Sequence, residues 1–166
     1  MEILKTIISV THTISASLSI IFGVMVLVGI KGGLRHKKLG TWYFYAMLIN
    51  NLSALLIYNA NGDWFFPHWL AVITLGLLIP GYLMSKYKIG RYWKGIHIIC
   101  MTLSYYMLIG GAVNEAFIHI KTLTPLMHSN SPVFGMTHFA AQIFFIVLLI
   151  YFMVKYRNKK LLNPQQ

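Results

Sequence analysis

The chain has 166 residues, enough for one domain, and 57% of them are hydrophobic while only 10% are charged. Soluble domains carry about 25% charged residues, so this composition argues against a water-soluble protein, and its apolar content excludes intrinsic disorder. Fourteen Lys and Arg against three acids give a formal net charge of +11. The lone cysteine, Cys100, excludes an intrachain disulfide and any CxxC motif.

Five long apolar segments dominate the sequence, at residues 3–30, 42–60, 64–84, 95–120 and 138–154. Each approaches or exceeds the roughly 20 residues that a helix needs to cross a bilayer. Helices satisfy their own backbone hydrogen bonds in lipid, so helix is the expected conformation. The sequence therefore predicts an all-α integral membrane protein, with five transmembrane helices in one domain over residues 1–160 and a flexible tail at 161–166.

Basic residues are concentrated in alternate connections between these segments. Twelve of the fourteen lie there: Lys31, Arg35, Lys37, Lys38, Lys86, Lys88, Arg91, Lys94, Lys155, Arg157, Lys159 and Lys160. Because cytoplasmic loops are enriched in Lys and Arg, this pattern predicts an outside N-terminus and a cytoplasmic C-terminus. The net charge is then explained by contact with the lipid bilayer, and nucleic acid is not an expected partner.

Polar side chains inside the predicted helices need a structural reason, because an unsatisfied polar group is costly in lipid. In the first helix, Ser15, Ser19 and Gly23 recur every four residues, which favours close packing against another helix. Asn50 and Asn51 lie near the middle of the second helix. Hydrogen bonds to neighbouring helices are the favoured interpretation for both, ahead of contact with a substrate.

Glu115 is the only carboxylate inside a predicted span and lies near the outer end of the fourth helix. Two interpretations are open. An intramembrane acid is by default a functional residue, and Glu115 is then the candidate catalytic general base. Alternatively, Glu115 pairs with His119 on the same helix face, and the pair only anchors the helix end.

Several stretches of the sequence together resemble one protein family. They are His12, the segment 31–43 (KGGLRHKKLGTWY) with Ala46 and Met47, the segment 65–68 (FFPH), the segment 93–97 (WKGIH) and the segment 101–105 (MTLSY). The chain resembles the uncharacterised bacterial membrane proteins grouped as domain of unknown function 2306. The resemblance implies a small multi-helix protein of the bacterial inner (cytoplasmic) membrane and no established reaction. Its recurrent histidines match His12, His36, His68 and His97.

The first functional hypothesis is a haem protein of the b-cytochrome type. Two histidines from different helices often hold haem iron. His12 and His68 are expected at one depth near the outer side, and His36 and His97 at another near the cytoplasmic side. Haem b bound by both pairs would carry electrons across the membrane to a redox partner. Arg35, Lys37 and Lys94 are candidate contacts for the haem propionates.

The second hypothesis is a site for zinc or another divalent metal at the outer face. Its candidate ligands are His12, His68, Glu115, His119 and His138. Three or four nitrogen and oxygen ligands suit Zn²⁺, in a structural role or in hydrolysis by an activated water.

The third hypothesis needs no cofactor. A small-molecule carrier, or an assembly factor for another membrane protein, requires only a cavity and a polar face. The sequence leaves open whether the protein is an enzyme and whether it is a homo-oligomer.

Overall fold

The structure is a computed structural model that describes residues 2–57, 66–128 and 131–162. These residues form six helices and no strand, so the predicted all-helical class is confirmed for them. The helices are α1 (Glu2–Val28), α2 (Leu34–Ala54), α3 (Phe66–Tyr87), α4 (Trp93–His119), α5 (Thr124–His128) and α6 (Val133–Leu162).

Four helices are long and apolar enough to cross a bilayer. They are α1, α3, α4 and the segment Val133–Tyr156 of α6. At most 28% of the most apolar window of each is buried inside the protein, so most of their apolar surface faces outward. This arrangement is the one expected where lipid replaces water as the surrounding medium.

The second predicted span differs most from the structure. Its helix begins at Leu34 rather than at residue 42, because Gly33 is extended and its carbonyl already accepts a bond from the Lys37 N–H at 3.1 Å. The helix ends at Ala54, and residues 58–65, where this span was predicted to end and the next to begin, lie outside the described residues. With basic residues at its start and asparagines near its end, α2 does not reach the apolarity of the other four helices.

The last predicted span is also longer than expected. Helix α6 begins at Val133 instead of His138 and continues to Leu162, two residues into the predicted flexible tail. The short helix α5 lies in the connection between the fourth and fifth predicted segments. Residues 163–166 lie outside the described part of the chain.

Helix α4 is central in the bundle. It packs against α1, α3 and α6, while α1 also packs on α2 and α2 on α3. The core between these helices contains Tyr43, Met47, Leu78, Tyr105 and Leu108.

A close contact between α1 and α4 confirms the packing interpretation of the small residues. Ser15, Ser19 and Gly23 are the buried residues of α1. A Cβ atom at Gly23 would lie 2.1 Å from Cε2 of Tyr105, so only glycine leaves room for this ring. The Tyr105 hydroxyl in turn donates to the carbonyl of Ile20 at 3.1 Å.

The two asparagines of α2 are both buried, but their described hydrogen bonds differ. The Asn51 amide donates to the carbonyl of Met47 in its own helix at 2.7 Å rather than to a neighbouring helix. Asn50 joins α2 to α1 through its backbone carbonyl, which accepts from His12, while its Oδ1 is buried without a hydrogen-bond partner among the described residues. The interhelical side-chain bonds predicted for these two residues are therefore not found in the described part of the chain.

Candidate histidine sites at the two ends of the bundle

The three basic segments of the sequence meet at one end of the bundle, which we call the basic end (residues 31–38, 86–94 and 155–160). Lys31 Nζ lies 4.8 Å from the ring centroid of Phe152, which joins the end of α1 to the end of α6. The same amine donates to the carbonyls of Val26 and Leu27, which are free at the end of α1. His36 of α2 interacts electrostatically with both Lys31 and His97 of α4.

His97 is held by a bond to the neighbouring helix. Its Nδ1 lies 2.8 Å from the backbone carbonyl of Gly81 in α3. Because a carbonyl oxygen only accepts, Nδ1 must carry the hydrogen, and in the neutral ring Nε2 keeps the lone pair.

Gly81 makes this bond possible. A Cβ at this position would lie 2.8 Å from Cβ of Cys100 and 3.0 Å from Sδ of Met101. The missing side chain lets α3 and α4 approach closely, which brings the carbonyl within reach of His97. The sequence analysis did not single out Gly81 for this role, although the Pro-Gly pair at residues 80–81 marks an unusual point in an otherwise apolar helix.

His36 has a different environment. It lies in the first turns of α2, and not in a loop between the first two predicted spans. Its ring is partly buried. Its Nδ1 is buried and has no hydrogen-bond partner among the described residues. Burial, together with the charges of Lys31 and His97, lowers the pKa of His36 from 6.5 to about 4, so the ring is neutral at pH 7.

Lys31 is a residue of this end that the sequence analysis did not include in a site. Burial, and to a smaller degree the charge of Lys155, lowers its pKa from 10.5 to about 8. Its position directly after an apolar helix was the available signal, because cations are favoured at helix C-termini. The predicted propionate contacts Arg35, Lys37 and Lys94 are all exposed at this end.

The opposite end of the bundle contains His12, which repeats the geometry of His97. His12 Nδ1 lies 3.1 Å from the carbonyl of Asn50 and 3.3 Å from Oγ of Ser53, both on α2. The carbonyl again requires that Nδ1 donates and leaves the lone pair on Nε2. His68 is fully buried near the start of α3, and α3 begins at the end of the bundle where α2 finishes.

The remaining candidate metal ligands pair with close neighbours. Glu115 Oε2 and His119 Nε2 are 3.1 Å apart, which confirms the predicted pairing, and the two side chains are 56% and 73% exposed. His138 Nε2 donates to Oδ1 of Asn114 at 3.0 Å. Asn114 was not predicted, since its partner lies on another helix.

The five predicted metal ligands do not form a cluster in the part of the chain that the structure describes. No group of three or more His, Cys, Asp or Glu residues able to hold a metal ion occurs there. Their described partners are different: His12 is bound to α2, His138 to Asn114, and Glu115 to His119.

Fold and site together define a helical protein with four helices long and apolar enough to cross a membrane and with a histidine bonded to a neighbouring helix at each end. Comparison with known proteins adds no further assignment: no family model, no curated protein and no solved structure matches the chain. The resemblance to the domain of unknown function 2306 stays a prediction.

Proposed function

We propose that the chain is a b-type haem protein whose principal site uses His36 and His97 at the basic end. One observation carries the proposal. Two imidazoles from different helices interact there, and His36 has a buried nitrogen without a hydrogen-bond partner in the described structure. Pairs of histidines from separate helices are a common way to hold haem iron within a helical bundle.

The donor chemistry of the pair fits haem. Metal ligation requires a neutral imidazole, and the low pKa of His36 keeps its ring neutral at pH 7. The bond from His97 Nδ1 to Gly81 leaves Nε2 with the lone pair, which is the arrangement that ligating histidines adopt. Two protein ligands are sufficient, because the porphyrin supplies the other donors to the iron.

Neighbouring residues have matching roles. When bound, haem supplies a reversible one-electron couple. The Gly81 carbonyl fixes the orientation of the His97 ring. Lys31 donates to two carbonyls and retains one N–H for an anionic propionate. The rings of Phe44 and Tyr82 stack with centroids 4.0 Å apart, and Tyr82 follows Gly81 directly in the sequence.

His12 and His68 are the second proposed ligand pair. His12 has the same bond from Nδ1 to a backbone carbonyl, and His68 is buried at the corresponding end of α3. Two haem sites at opposite ends would pass electrons across the membrane to a redox partner.

Five membrane spans are part of the same proposal, and the surface of α2 supports them. Its exposed side is an apolar stripe at helical spacing, which continues past its end to Leu56: Trp42, Tyr45, Ile49, Leu52 and Leu56. Its polar residues Asn50, Asn51 and Ser53 are buried. A helix with apolar residues outside and polar residues inside fits lipid contact, so we propose that α2 from residue 42 onward belongs to a fifth span.

We further propose an outside N-terminus and cytoplasmic C-terminus in the bacterial inner membrane. The convergence of the basic segments at one end supports this orientation, because basic residues favour the cytoplasmic side.

Absorption spectroscopy tests the haem proposal. The full chain is expressed with a haem precursor supplied, purified in detergent, and measured oxidised and then reduced with dithionite. We expect a Soret band and, after reduction, an α band. The double variant His36→Ala/His97→Ala should lose the haem of the basic end, while His119→Ala serves as the matched control and keeps the full spectrum.

Two results would contradict the proposal. Absence of Soret absorbance in a folded protein supplied with haem would exclude haem binding. If the double variant keeps its haem content and its elution volume on size exclusion, then haem does not bind at His36 and His97.

A further inference from the structure

The turn between α3 and α4, taken with the helix ends on either side (residues 86–94), is strongly charged. It contains four cations in nine residues: Lys86, Lys88, Arg91 and Lys94, all exposed. The turn is tight because Lys88 and Gly90 have left-handed backbone conformations, with φ of 52° and 75°. The cations are therefore held close together.

In the part of the chain that the structure describes, no carboxylate forms an ion pair with these cations. The sequence has no acid between Asp63 and Glu115. Glu115 lies near the far end of α4, where it pairs with His119. Glu2 begins α1 and is separated from the basic end by the length of that helix. Among the described residues, the charge of the turn is therefore left for an anion from outside the chain.

The side chains around the cations are aromatic. Lys86 Nζ lies 5.7 Å from the ring centroid of Tyr82 and 5.4 Å from that of Tyr87. Arg91 lies 5.8 Å from the ring of Tyr92. Lys94 Nζ lies 5.5 Å from the ring of Trp93. Tyr and Trp side chains at the ends of membrane helices lie at the level of the lipid headgroups, which places these cations there too.

The tip of the turn is apolar as well as charged. Ile89 is 49% exposed between Lys88 and Gly90, and Tyr87 and Tyr92 are 62% and 70% exposed on either side. A ligand that complements this surface has a negatively charged group next to an apolar hydrocarbon part. We infer that the α3–α4 turn is a binding site for an anionic phospholipid, with the headgroup phosphate between Lys86, Arg91 and Lys94 and the acyl chains against the adjoining helices. This inference is independent of the haem proposal.

Lipid counting by native mass spectrometry tests the inference. The full chain in nonionic detergent is titrated with dioleoyl-phosphatidylglycerol or dioleoyl-phosphatidylcholine at equal concentration. We expect preferential retention of phosphatidylglycerol, which weakens as salt is raised because exposed charges are screened. The variant Lys86→Gln/Arg91→Gln/Lys94→Gln should bind phosphatidylglycerol on the order of a hundredfold more weakly, because it removes three cations and each contributes on the order of 1 kcal/mol near a membrane surface.

A matched control separates a specific site from general charge. The variant Arg35→Gln/Lys37→Gln/Lys38→Gln removes three exposed cations from the same end of the bundle but leaves the turn intact. It should retain phosphatidylglycerol. If folding of the first variant is impaired, Lys86→Arg/Lys94→Arg preserves the charges and should bind as the natural sequence does.

Three outcomes would overturn the inference. These are equal retention of the two lipids, unchanged phosphatidylglycerol binding in the turn variant, and an equal loss in the control variant. Displacement of the lipid by inorganic phosphate at matched concentration would also overturn it, because the site would then recognise a soluble anion rather than a lipid.

Discussion

The two ends of the bundle use histidine in the same way but surround it with different groups. At the basic end His97 bonds the Gly81 carbonyl and joins α3 to α4, and at the opposite end His12 bonds the Asn50 carbonyl and joins α1 to α2. At the basic end the second imidazole, His36, is partly buried, its Nδ1 has no hydrogen-bond partner among the described residues, and the cation Lys31 lies nearby. At the opposite end the second imidazole, His68, is fully buried. The bond from histidine to a backbone carbonyl therefore has a structural role at both ends. The chemistry that each end supports depends on the residues around the histidine.

The largest expected effect comes from the close helix contact at the basic end. Gly81→Ala places a Cβ 2.8 Å from Cβ of Cys100, an atom that moves only with its backbone, so α3 and α4 must separate. Overpacking of this kind costs about 1–3 kcal/mol. We expect a lower free energy of unfolding, measured by titration with SDS in mixed micelles.

Gly76→Ala is the control for this substitution. It lies on the same helix, and a Cβ there would meet no atom within 4 Å. Alanine also has the higher helix propensity, so Gly76→Ala should leave stability unchanged or raise it. Equal stability of the two variants would show that the approach of α3 to α4 does not depend on Gly81.

The next effect is a pH dependence that belongs to His36. Its pKa is about 4 in the folded chain and near 6.5 when unfolded, so the unfolded state binds the proton more readily between these values. The resulting stabilisation is complete above pH 6.5 and is lost as the pH falls toward 4. We expect the natural sequence to lose on the order of 1 kcal/mol more than His36→Gln over this interval, measured by SDS titration at each pH.

All other ionisable residues are identical in the two proteins, so the difference between the two curves isolates His36. Lys31 and His97 are the charged and titratable groups that face it. If the free energy of unfolding varies with pH in the same way for His36→Gln and the natural sequence, the His36 ring is not shielded from solvent. The contrast between the two ends would then lose its main support.

The sequence predicts those features that depend on one helix at a time. The four most apolar helices were found because a run of about 20 apolar residues suffices to identify a span. The Glu115–His119 pair was found because residues four apart share a helix face. The early start of α2 was missed, since its first turns are basic and carry no apolar periodicity.

Contacts between helices were not predictable in the same way. The bond from His97 to Gly81 depends on how α3 and α4 rotate about their axes and on the space left by a glycine. The hydropathy pattern of a sequence gives neither the rotation of a helix about its axis nor the space between two helices. The same reason explains why His138 pairs with Asn114 and why Asn51 turns back to its own helix instead of joining its neighbour.

The smallest effect is expected at the opposite end, from the Glu115–His119 pair. Its side chains are 56% and 73% exposed, and exposed ion pairs contribute at most about 1 kcal/mol. A double-mutant cycle with Glu115→Gln and His119→Gln, read by SDS titration, should therefore give a coupling energy below that value. A larger coupling would mean that the pair is shielded from water when the protein is in its membrane. Glu115 would then resemble His36 as a desolvated titratable group, and the functional contrast between the ends would no longer favour the basic end alone.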